Sequence, residues 1–181
     1  MLKKFKIWLV NYFIRREIKR SNYQKVSTNL ERARSVVIIF ALDDETLYEQ
    51  VIQLIEDLTL KKKNVSALAY SPSQKAPYYF APRLKIDVFT QRNLNFFGIP
   101  SKGFIRDFIN NKCDLLIDLT TTDYLPVDYI TSVSHAGFKA GRHRTSIEKY
   151  YDFMVLKSDD LSNSFFLSYL LDYLTKINTS S

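Results

Sequence analysis

The sequence predicts an α/β protein, with a single three-layer, Rossmann-like domain built on a mostly parallel sheet and a basic N-terminal helical arm. Three observations predict this architecture. Short runs of branched apolar residues alternate along the chain with segments of helical periodicity, as in a parallel sheet covered on both faces. Hydrophobic residues make up 46% of the 181 residues, enough for a buried core. Ten of the 26 basic residues lie within the first 34 positions.

Composition divides the chain into three parts. Residues 1–34 are predicted to form a basic arm, with a helix over residues 2–20 and a polar connector over residues 21–34. Residues 35–177 are predicted to form the α/β domain, and residues 178–181 a tail. The apolar residues of the arm spread around most of a helical wheel, which leaves its placement open. The arm helix could extend from the domain, pack on its sheet or contact a second copy of the chain.

Six strands are predicted within the domain. Residues 35–42 (SVVIIFAL) and 113–119 (CDLLIDL) are the most apolar runs, as expected of strands buried on both faces. Three of the five prolines fall within residues 71–84, which are therefore predicted to form a loop. In chain order the predicted strands are residues 35–42, 64–70, 86–89, 113–119, 138–141 and 150–156.

Four helices are predicted to alternate with these strands. Each begins at a side chain that can accept hydrogen bonds from the unpaired N–H groups of a first helical turn. The predicted starts are Asp43 or Asp44, Ser101, Asp123 and Ser158. Pro126 falls in the first turn of the third of these helices, where proline is tolerated because no N–H is needed there.

The charge of the chain is strongly asymmetric. Residues 1–34 contain ten basic and two acidic residues, whereas residues 35–181 contain sixteen basic and seventeen acidic residues. A basic segment on a nearly neutral domain is typical of proteins that bind a polyanion. RNA, including a ribosome-like ribonucleoprotein surface, is the favoured partner, because Trp8, Tyr12 and Tyr23 can stack on unpaired bases. The predicted polyanion-binding residues are Lys3, Lys4, Lys6, Trp8, Arg15, Arg16, Lys19, Arg20 and Lys25.

An anionic membrane surface is the alternative partner of the same arm, because residues 7–14 are more apolar than a typical RNA-binding tail. These residues, interrupted by Asn11, are too few to cross a bilayer, which needs about 20. Charged residues rather than a small-residue cleavage site follow them, so they are not predicted to be an export signal. The expected location is the cytoplasm, with peripheral attachment to the inner membrane as the alternative.

Residue counts argue against several kinds of chemistry. Cys113 is the single cysteine, which excludes an intrachain disulfide, and with two histidines it is too few for a typical structural zinc site. Gly98 is the first of four glycines, which excludes the glycine-rich phosphate loops of nucleotide-binding proteins. No loop combines a nucleophile, a base and an orienting residue. The sequence therefore favours a non-catalytic protein without a cofactor.

A ligand crevice is nevertheless predicted where the carboxyl ends of the strands meet, since ligands of open α/β sheets bind there. Asp118 is the strongest candidate for a functional acid, because a carboxylate among apolar strand residues needs a partner. The guanidinium groups of Arg142 and Arg144 suit a phosphate, so the crevice would take a nucleotide or a sugar phosphate. The predicted crevice residues are Asp43, Asp118, Thr120, Asp123, Arg142, His143 and Arg144.

Short motifs occur at residues 25–26 (KV), 29–30 (NL), 94–98 (LNFFG), 113–119 (CDLLIDL), 140–142 (AGR) and 150–152 (YYD). Together they resemble a small, uncharacterised family of bacterial α/β proteins, a resemblance that implies the fold and a basic N-terminus but no activity. Residues 113–141 are also similar to the acceptor-side domain of heptosyltransferase-like glycosyltransferases. Residues 41–44 (ALDD) depart from the glycine-aspartate loop that those enzymes carry after their first strand.

Overall fold

A computed structural model describes residues 2–20, 25–83, 85–158 and 161–177, with side chains from residue 6 onward except that of residue 20. Within these residues the strands are β1 (Ser35–Ala41), β2 (Asn64–Ser71), β3 (Ile86–Thr90), β4 (Cys113–Asp118), β5 (Ala136–Arg142) and β6 (Phe153–Val155). The helices are α1 (Leu2–Arg20), α2 (Glu45–Leu60), α3 (Gly103–Asn110), α4 (Leu125–Val133) and α5 (Asn163–Lys176). Short 3-10 turns span Gln91–Asn93 and Glu148–Tyr150.

All six of these strands run parallel in one sheet, in the order β3-β2-β1-β4-β5-β6. This order is that of a doubly wound sheet, and it confirms the predicted Rossmann-like fold class. β1 lies at the centre, where Val36 pairs with Val65 of β2 on one side and with Leu115 of β4 on the other. The loops after β1 and β4 lead away in opposite directions, so the carboxyl ends of these two strands form the switch point of the sheet.

Two hydrophobic cores lie between the sheet and its helix layers. Alternate residues of β1 point to opposite faces of the sheet. Val36, Ile38 and Phe40 belong to the core beneath α2 and α5, whereas Val37 and Ile39 belong to the core beneath α1, α3 and α4. Because both faces are covered, both sets of side chains must be apolar, which accounts for the unbroken apolar run in this strand.

The N-terminal helix α1 is present as predicted, and it packs within the second helix layer. Val10 and Ile14, one helical turn apart, are buried in the core that also contains Val127 and Ile130 of α4. Of the placements that the sequence left open for this helix, packing against the domain is therefore the one observed. The cations of α1 are consequently held in a fixed position relative to the domain.

The starts of α2 and α3 agree only in part with their predicted caps. Asp44 caps α2, because its carboxylate accepts a hydrogen bond from the Leu47 N–H at 3.0 Å. Asp43, the other predicted cap, does not have this role. α3 begins after Lys102 instead of Ser101, and its capping residue makes no side-chain hydrogen bond to the helix.

The starts of α4 and α5 also differ from the predicted ones. α4 begins after Tyr124, one residue beyond the predicted cap Asp123, whose carboxylate binds Arg142 and does not cap the helix. α5 begins after Ser162, whose hydroxyl accepts a hydrogen bond within the first turn, and not at Ser158. At α5 a second serine close by in the sequence takes the capping position, whereas at α4 Tyr124 makes no side-chain hydrogen bond to the helix.

Candidate functional site

The carboxyl end of β4 carries a buried ion-pair network. Asp118, the last residue of β4, is fully buried, and the Arg144 side chain is 1% exposed. The Arg144 guanidinium donates through Nη2 to Asp118 Oδ2 and, at 2.6 Å, to the Tyr151 hydroxyl oxygen. Through Nη1 it donates to Asp128 Oδ1 at 2.7 Å. One guanidinium thus connects β4, α4 and the segment that follows β5.

The Asp118 carboxylate makes further hydrogen bonds inside the protein. The Thr120 N–H donates to Oδ1 at 2.8 Å, and the Tyr151 hydroxyl donates to Oδ2. The Thr131 hydroxyl lies 3.5 Å from the same Oδ2 atom. Both carboxylate oxygens therefore have protein partners, which satisfies the requirement of a buried carboxylate. This arrangement is that of a structural ion pair at the switch point of the sheet.

The protonation of the network follows from its burial. Burial raises the pKa of Asp128 to about 6, although the charge of Arg144 acts in the opposite direction. Burial by itself would lower the pKa of Arg144, but Asp118 and Tyr151 raise it above its ordinary value, so the guanidinium stays charged. Burial and the Asp118 charge raise the pKa of Tyr151 well above its ordinary value. The network therefore takes up a proton on Asp128 as the pH falls through about 6.

Two further predicted crevice residues form an ion pair with each other at the same end of the sheet. Arg142 Nη2 contacts Asp123 Oδ1, and this pair connects the end of β5 to the loop before α4. His143 Nε2 lies 3.4 Å from Glu148 Oε2, so the imidazole faces the 3-10 turn. The arginines on either side of His143 therefore have carboxylate partners within the protein, which reduces their capacity to hold a phosphate.

The loop after β1 contributes less to the site than the sequence predicted. Asp43 Oδ2 accepts a hydrogen bond from the Tyr124 hydroxyl at 2.9 Å, which joins this loop to the start of α4. Thr120 Oγ1 is buried and has no hydrogen-bond partner among the described residues. Of the predicted crevice residues, the structure thus brings Asp118, Thr120 and Arg144 into one network.

A cavity of about 330 Å³ lies beside the network, between α1 and α4. Val10 and Ile14 are part of its apolar wall, and Asp123, Asp128 and Ser146 are among the residues that contribute polar atoms. In the part of the chain that the structure describes, no cluster of three or more His, Cys, Asp or Glu residues could hold a metal ion. With this lining, the cavity presents carboxylate oxygens of Asp123 and Asp128 opposite an apolar surface.

A second surface feature is a groove between α1 and the 3-10 turn Glu148–Tyr150, with a volume of about 660 Å³. Its cations are Arg15, Arg16 and Lys19 of α1 and Lys149 of the turn, all exposed. None of these four side chains forms an ion pair with any residue that the structure describes. We name this feature the cationic groove; it is lined by Tyr12, Arg15, Arg16, Ile18, Lys19, Lys149 and Tyr150.

The cationic groove depends on the periodicity of α1. Arg15 and Arg16 follow Tyr12 by three and four residues, and Lys19 follows them by four and three, which places all of these side chains along one face of the helix. Val10 and Ile14 point into the core from a different face of the same helix. Because the face with Val10 and Ile14 is buried, α1 cannot rotate about its own axis. Its cations are therefore held against the 3-10 turn.

A smaller chamber of about 300 Å³ adjoins the groove, because Ile18, Lys149 and Tyr150 line both. The buried Ser132 Oγ and Tyr150 hydroxyl atoms in its wall have no hydrogen-bond partner among the described residues. The chamber also contains Lys139, whose ammonium group donates to the Ser132 carbonyl oxygen at 3.1 Å. Burial lowers the pKa of Lys139 to about 8.

The structure places only some of the predicted polyanion-binding residues in the groove. Arg15, Arg16 and Lys19 line it, as described above, and Lys25 lines the adjoining chamber, where its ammonium group lies 2.7 Å from Asp152. Trp8 is 61% exposed, and its ring stacks on Tyr12. Lys6 is half-buried. The side chains of Lys3, Lys4 and Arg20 lie outside those that the structure describes, as does Tyr23.

Sequence reasoning missed Lys149 and Tyr150, which form the wall of the groove opposite α1. They lie more than 120 positions from the basic helix, so no local pattern joins the two segments. Their one sequence signal is a lysine next to an aromatic residue, close to the Arg142–Arg144 segment.

Comparison with known proteins identifies one similarity. A family model described as "Family of unknown function (DUF6913)" matches residues 6–177, nearly the whole chain. The match agrees with the resemblance to an uncharacterised α/β family. No curated protein and no solved structure matches the chain, so these comparisons lend no support to the resemblance to heptosyltransferase-like enzymes. Among the described helices, none is both long and apolar enough to cross a membrane.

Proposed function

The chain belongs to the DUF6913 family, and we propose that it is a non-catalytic binding protein whose cationic groove holds the phosphate backbone of RNA. The observation that carries this proposal is the set of four exposed cations with no ion-pair partner among the described residues. Cations held close together repel one another, and a polyanion relieves that repulsion while it releases its own counterions.

The form of the groove supports RNA over a lipid surface. A helix that lies in a membrane interface buries an apolar face roughly 5–10 Å deep among the lipids. On α1 the aliphatic side chains of Val10 and Ile14 are buried in the protein core and are not available to lipid. The cations line a concave groove with Tyr12 and Tyr150 beside them, and both rings can contact a nucleotide.

We propose that the protein acts in a bacterial cytoplasm, bound to RNA or to a ribosome-like ribonucleoprotein surface. A folded ribonucleoprotein exposes many phosphates over a wide area, which a one-sided basic surface can contact. Attachment to the inner membrane is the outcome that would replace this proposal if anionic lipid vesicles, and not RNA, bound the protein.

The proposal is tested by the fluorescence anisotropy of a labelled, unstructured RNA of about 12 nucleotides, which is within the site size of single-strand binders. The groove variant carries Arg16→Gln, Lys19→Gln and Lys149→Gln. These three side chains are exposed, so the variant is expected to fold like the parent protein. It is expected to bind the RNA at least tenfold more weakly at low salt, because three phosphate contacts are lost.

The control variant removes the same number and kinds of charge elsewhere. It carries Arg92→Gln, Lys61→Gln and Lys75→Gln, three exposed residues that do not line the groove. It is expected to bind RNA nearly as well as the parent protein does. Equal losses in both variants would show that net charge alone drives binding, and would reject the groove as the site. Failure of the parent protein to bind RNA would reject the proposed function itself.

A further inference from the structure

An exposed strip of aromatic rings extends from the cationic groove. It consists of Trp8, Tyr12 and Phe13 of α1 with Phe96 and Phe97 of the loop before α3, and we name it the aromatic strip. The centroids of neighbouring rings are separated by 6.2 Å for Trp8 and Tyr12, 5.7 Å for Tyr12 and Phe13, 6.5 Å for Phe13 and Phe97, and 5.5 Å for Phe97 and Phe96. The five rings therefore form one continuous surface.

The rings at the two ends of the strip are the most exposed. Phe96 is 84% exposed and Trp8 is 61% exposed, while Phe13 in the middle is half-buried. A large apolar side chain that stays in water forgoes the free energy of burial, and several together are typical of an interaction site. The buried part of Phe13 holds the strip on the second core, so the strip has a defined place on the surface.

The strip and the groove share Tyr12. This residue lines the cationic groove with Arg15 and Arg16, and its ring stacks on Trp8 at an interplanar angle of 17°. A ligand that fits both surfaces must carry regularly spaced negative charges and flat rings on the same chain. Single-stranded nucleic acid has this chemistry, whereas a duplex keeps its bases stacked inside.

We infer that the RNA bound in the cationic groove is single-stranded and that its bases stack on the aromatic strip. This inference rests on the proposed function and restricts its ligand to single-stranded RNA. Each base has a flat face, so stacking contributes to affinity without selecting a sequence. The protein is therefore expected to prefer unpaired RNA of any sequence to duplex RNA of the same length.

Trp8 provides a direct test, because it is the single tryptophan of the chain. Its fluorescence is measured while unstructured RNA, duplex RNA of the same length and inorganic polyphosphate are added in separate titrations. Single-stranded RNA is expected to quench the fluorescence, since a base that stacks on the indole does so. Polyphosphate carries the charge without the bases, so it is expected to compete with RNA for the groove and leave the Trp8 emission unchanged.

A variant of the strip gives the second test, read by anisotropy. Trp8→Ala with Phe96→Ala removes the two most exposed rings and is expected to weaken single-strand binding roughly tenfold for each ring, with duplex binding unchanged. The control, Tyr78→Ala with Phe165→Ala, removes two exposed rings outside the strip and is expected to have no effect. Trp8→Phe with Phe96→Tyr keeps two rings and is expected to restore binding.

The outcomes separate this inference from the proposed function. If both RNA forms bind equally well and the strip variant weakens neither, the stacking inference is overturned while RNA binding in the groove stands. If neither RNA form binds the parent protein, both statements fail together. Vesicles of phosphatidylglycerol that shift the Trp8 emission to shorter wavelength, when RNA leaves the emission unchanged, would assign the strip to a lipid surface and would overturn the inference.

Discussion

At the scale of single residues, Gly141 shows how tightly the network is packed against β5. A Cβ atom at this position would lie 2.9 Å from Tyr151 Cε1 and 3.0 Å from both the Cβ and the carbonyl oxygen of Asp118. Gly141→Ala is therefore expected to lower the free energy of unfolding by about 1–3 kcal/mol through overpacking. Urea denaturation measures this, with Gly103→Ala as the control, because a Cβ at Gly103 meets no atom within 4 Å. Equal stability of the two variants would contradict the close packing.

The buried carboxylate of Asp128 makes stability depend on pH. Its pKa of about 6 in the folded protein lies above the ordinary value of 3.8, so the folded state binds this proton more tightly than the unfolded state does. The contribution of Asp128 to stability is thus present below about pH 4 and is lost as the pH rises through about 6. Asp128→Asn cannot ionise, while its amide oxygen can still accept a hydrogen bond from Arg144.

The free energies of unfolding of the parent protein and of Asp128→Asn are compared from about pH 4 to about pH 7. The difference is expected to shift in favour of the variant across this range, by at most about 3 kcal/mol. A difference that stays constant with pH would show that Asp128 has an ordinary pKa in the folded protein.

Residue-scale reasoning from the sequence could predict that Asp118 needs a partner, because a carboxylate inside an apolar strand must be compensated. The sequence could not show whether Arg142 or Arg144 is that partner. Both lie near the end of β5, and the choice depends on how the chain turns after that strand. The contribution of Tyr151 was also out of reach, since a tyrosine within the predicted strand over residues 150–156 carries no sign of a buried hydroxyl.

At the scale of elements, α1 both packs into the core and carries cations of the groove. One face buries Val10 and Ile14 in the core, and another presents Arg15, Arg16 and Lys19 to solvent. The sequence predicts the helix and its charge, but the exposed Trp8, Tyr12 and Ile18 obscure the apolar face. A helical wheel cannot separate apolar residues that stabilise the fold from those that remain exposed.

The packing of α1 predicts that Ile14 contributes to stability. Ile14→Ala is expected to lower the free energy of unfolding by about 2–5 kcal/mol, because it leaves a cavity between α1 and α4. Ile18→Ala is the matched control; Ile18 is 37% exposed, and its truncation is expected to cost below about 1 kcal/mol. A loss for Ile14→Ala as small as that for Ile18→Ala would mean that Ile14 is not part of the core. For the same reason, deletion of α1 would expose the core as well as remove the cations.

Strand boundaries were predicted well where the apolar run is long and poorly where aromatic residues lie in turns. Residues 35–42 and 113–119 each exceed the observed β1 and β4 by one residue. The predicted strand over residues 150–156 is reduced to Phe153–Val155. Tyr150 instead ends the 3-10 turn and lines the groove, a role that its high β propensity conceals.

At the scale of the whole molecule, strand order brings the two walls of the groove together. β5 and β6 lie on the same side of the sheet centre as β4, and the turn between them, which carries Lys149, is thereby placed next to α1. The alternation of strands and helices predicts a parallel sheet, yet strand order depends on crossovers that apolar periodicity does not encode. The basic helix was therefore predictable as a cationic segment, and the groove was not.

The cations of the cationic groove predict how RNA binding responds to salt concentration. For single-stranded nucleic acid, the logarithm of the binding constant falls against the logarithm of salt concentration by about 0.7 for each phosphate neutralised. The groove variant, Arg16→Gln with Lys19→Gln and Lys149→Gln, is therefore expected to have a slope about 2 units shallower than that of the parent protein. The slope is obtained from anisotropy titrations at several concentrations of potassium chloride. If the two slopes are the same, these three side chains do not contact phosphate, whatever the change in affinity at a single salt concentration.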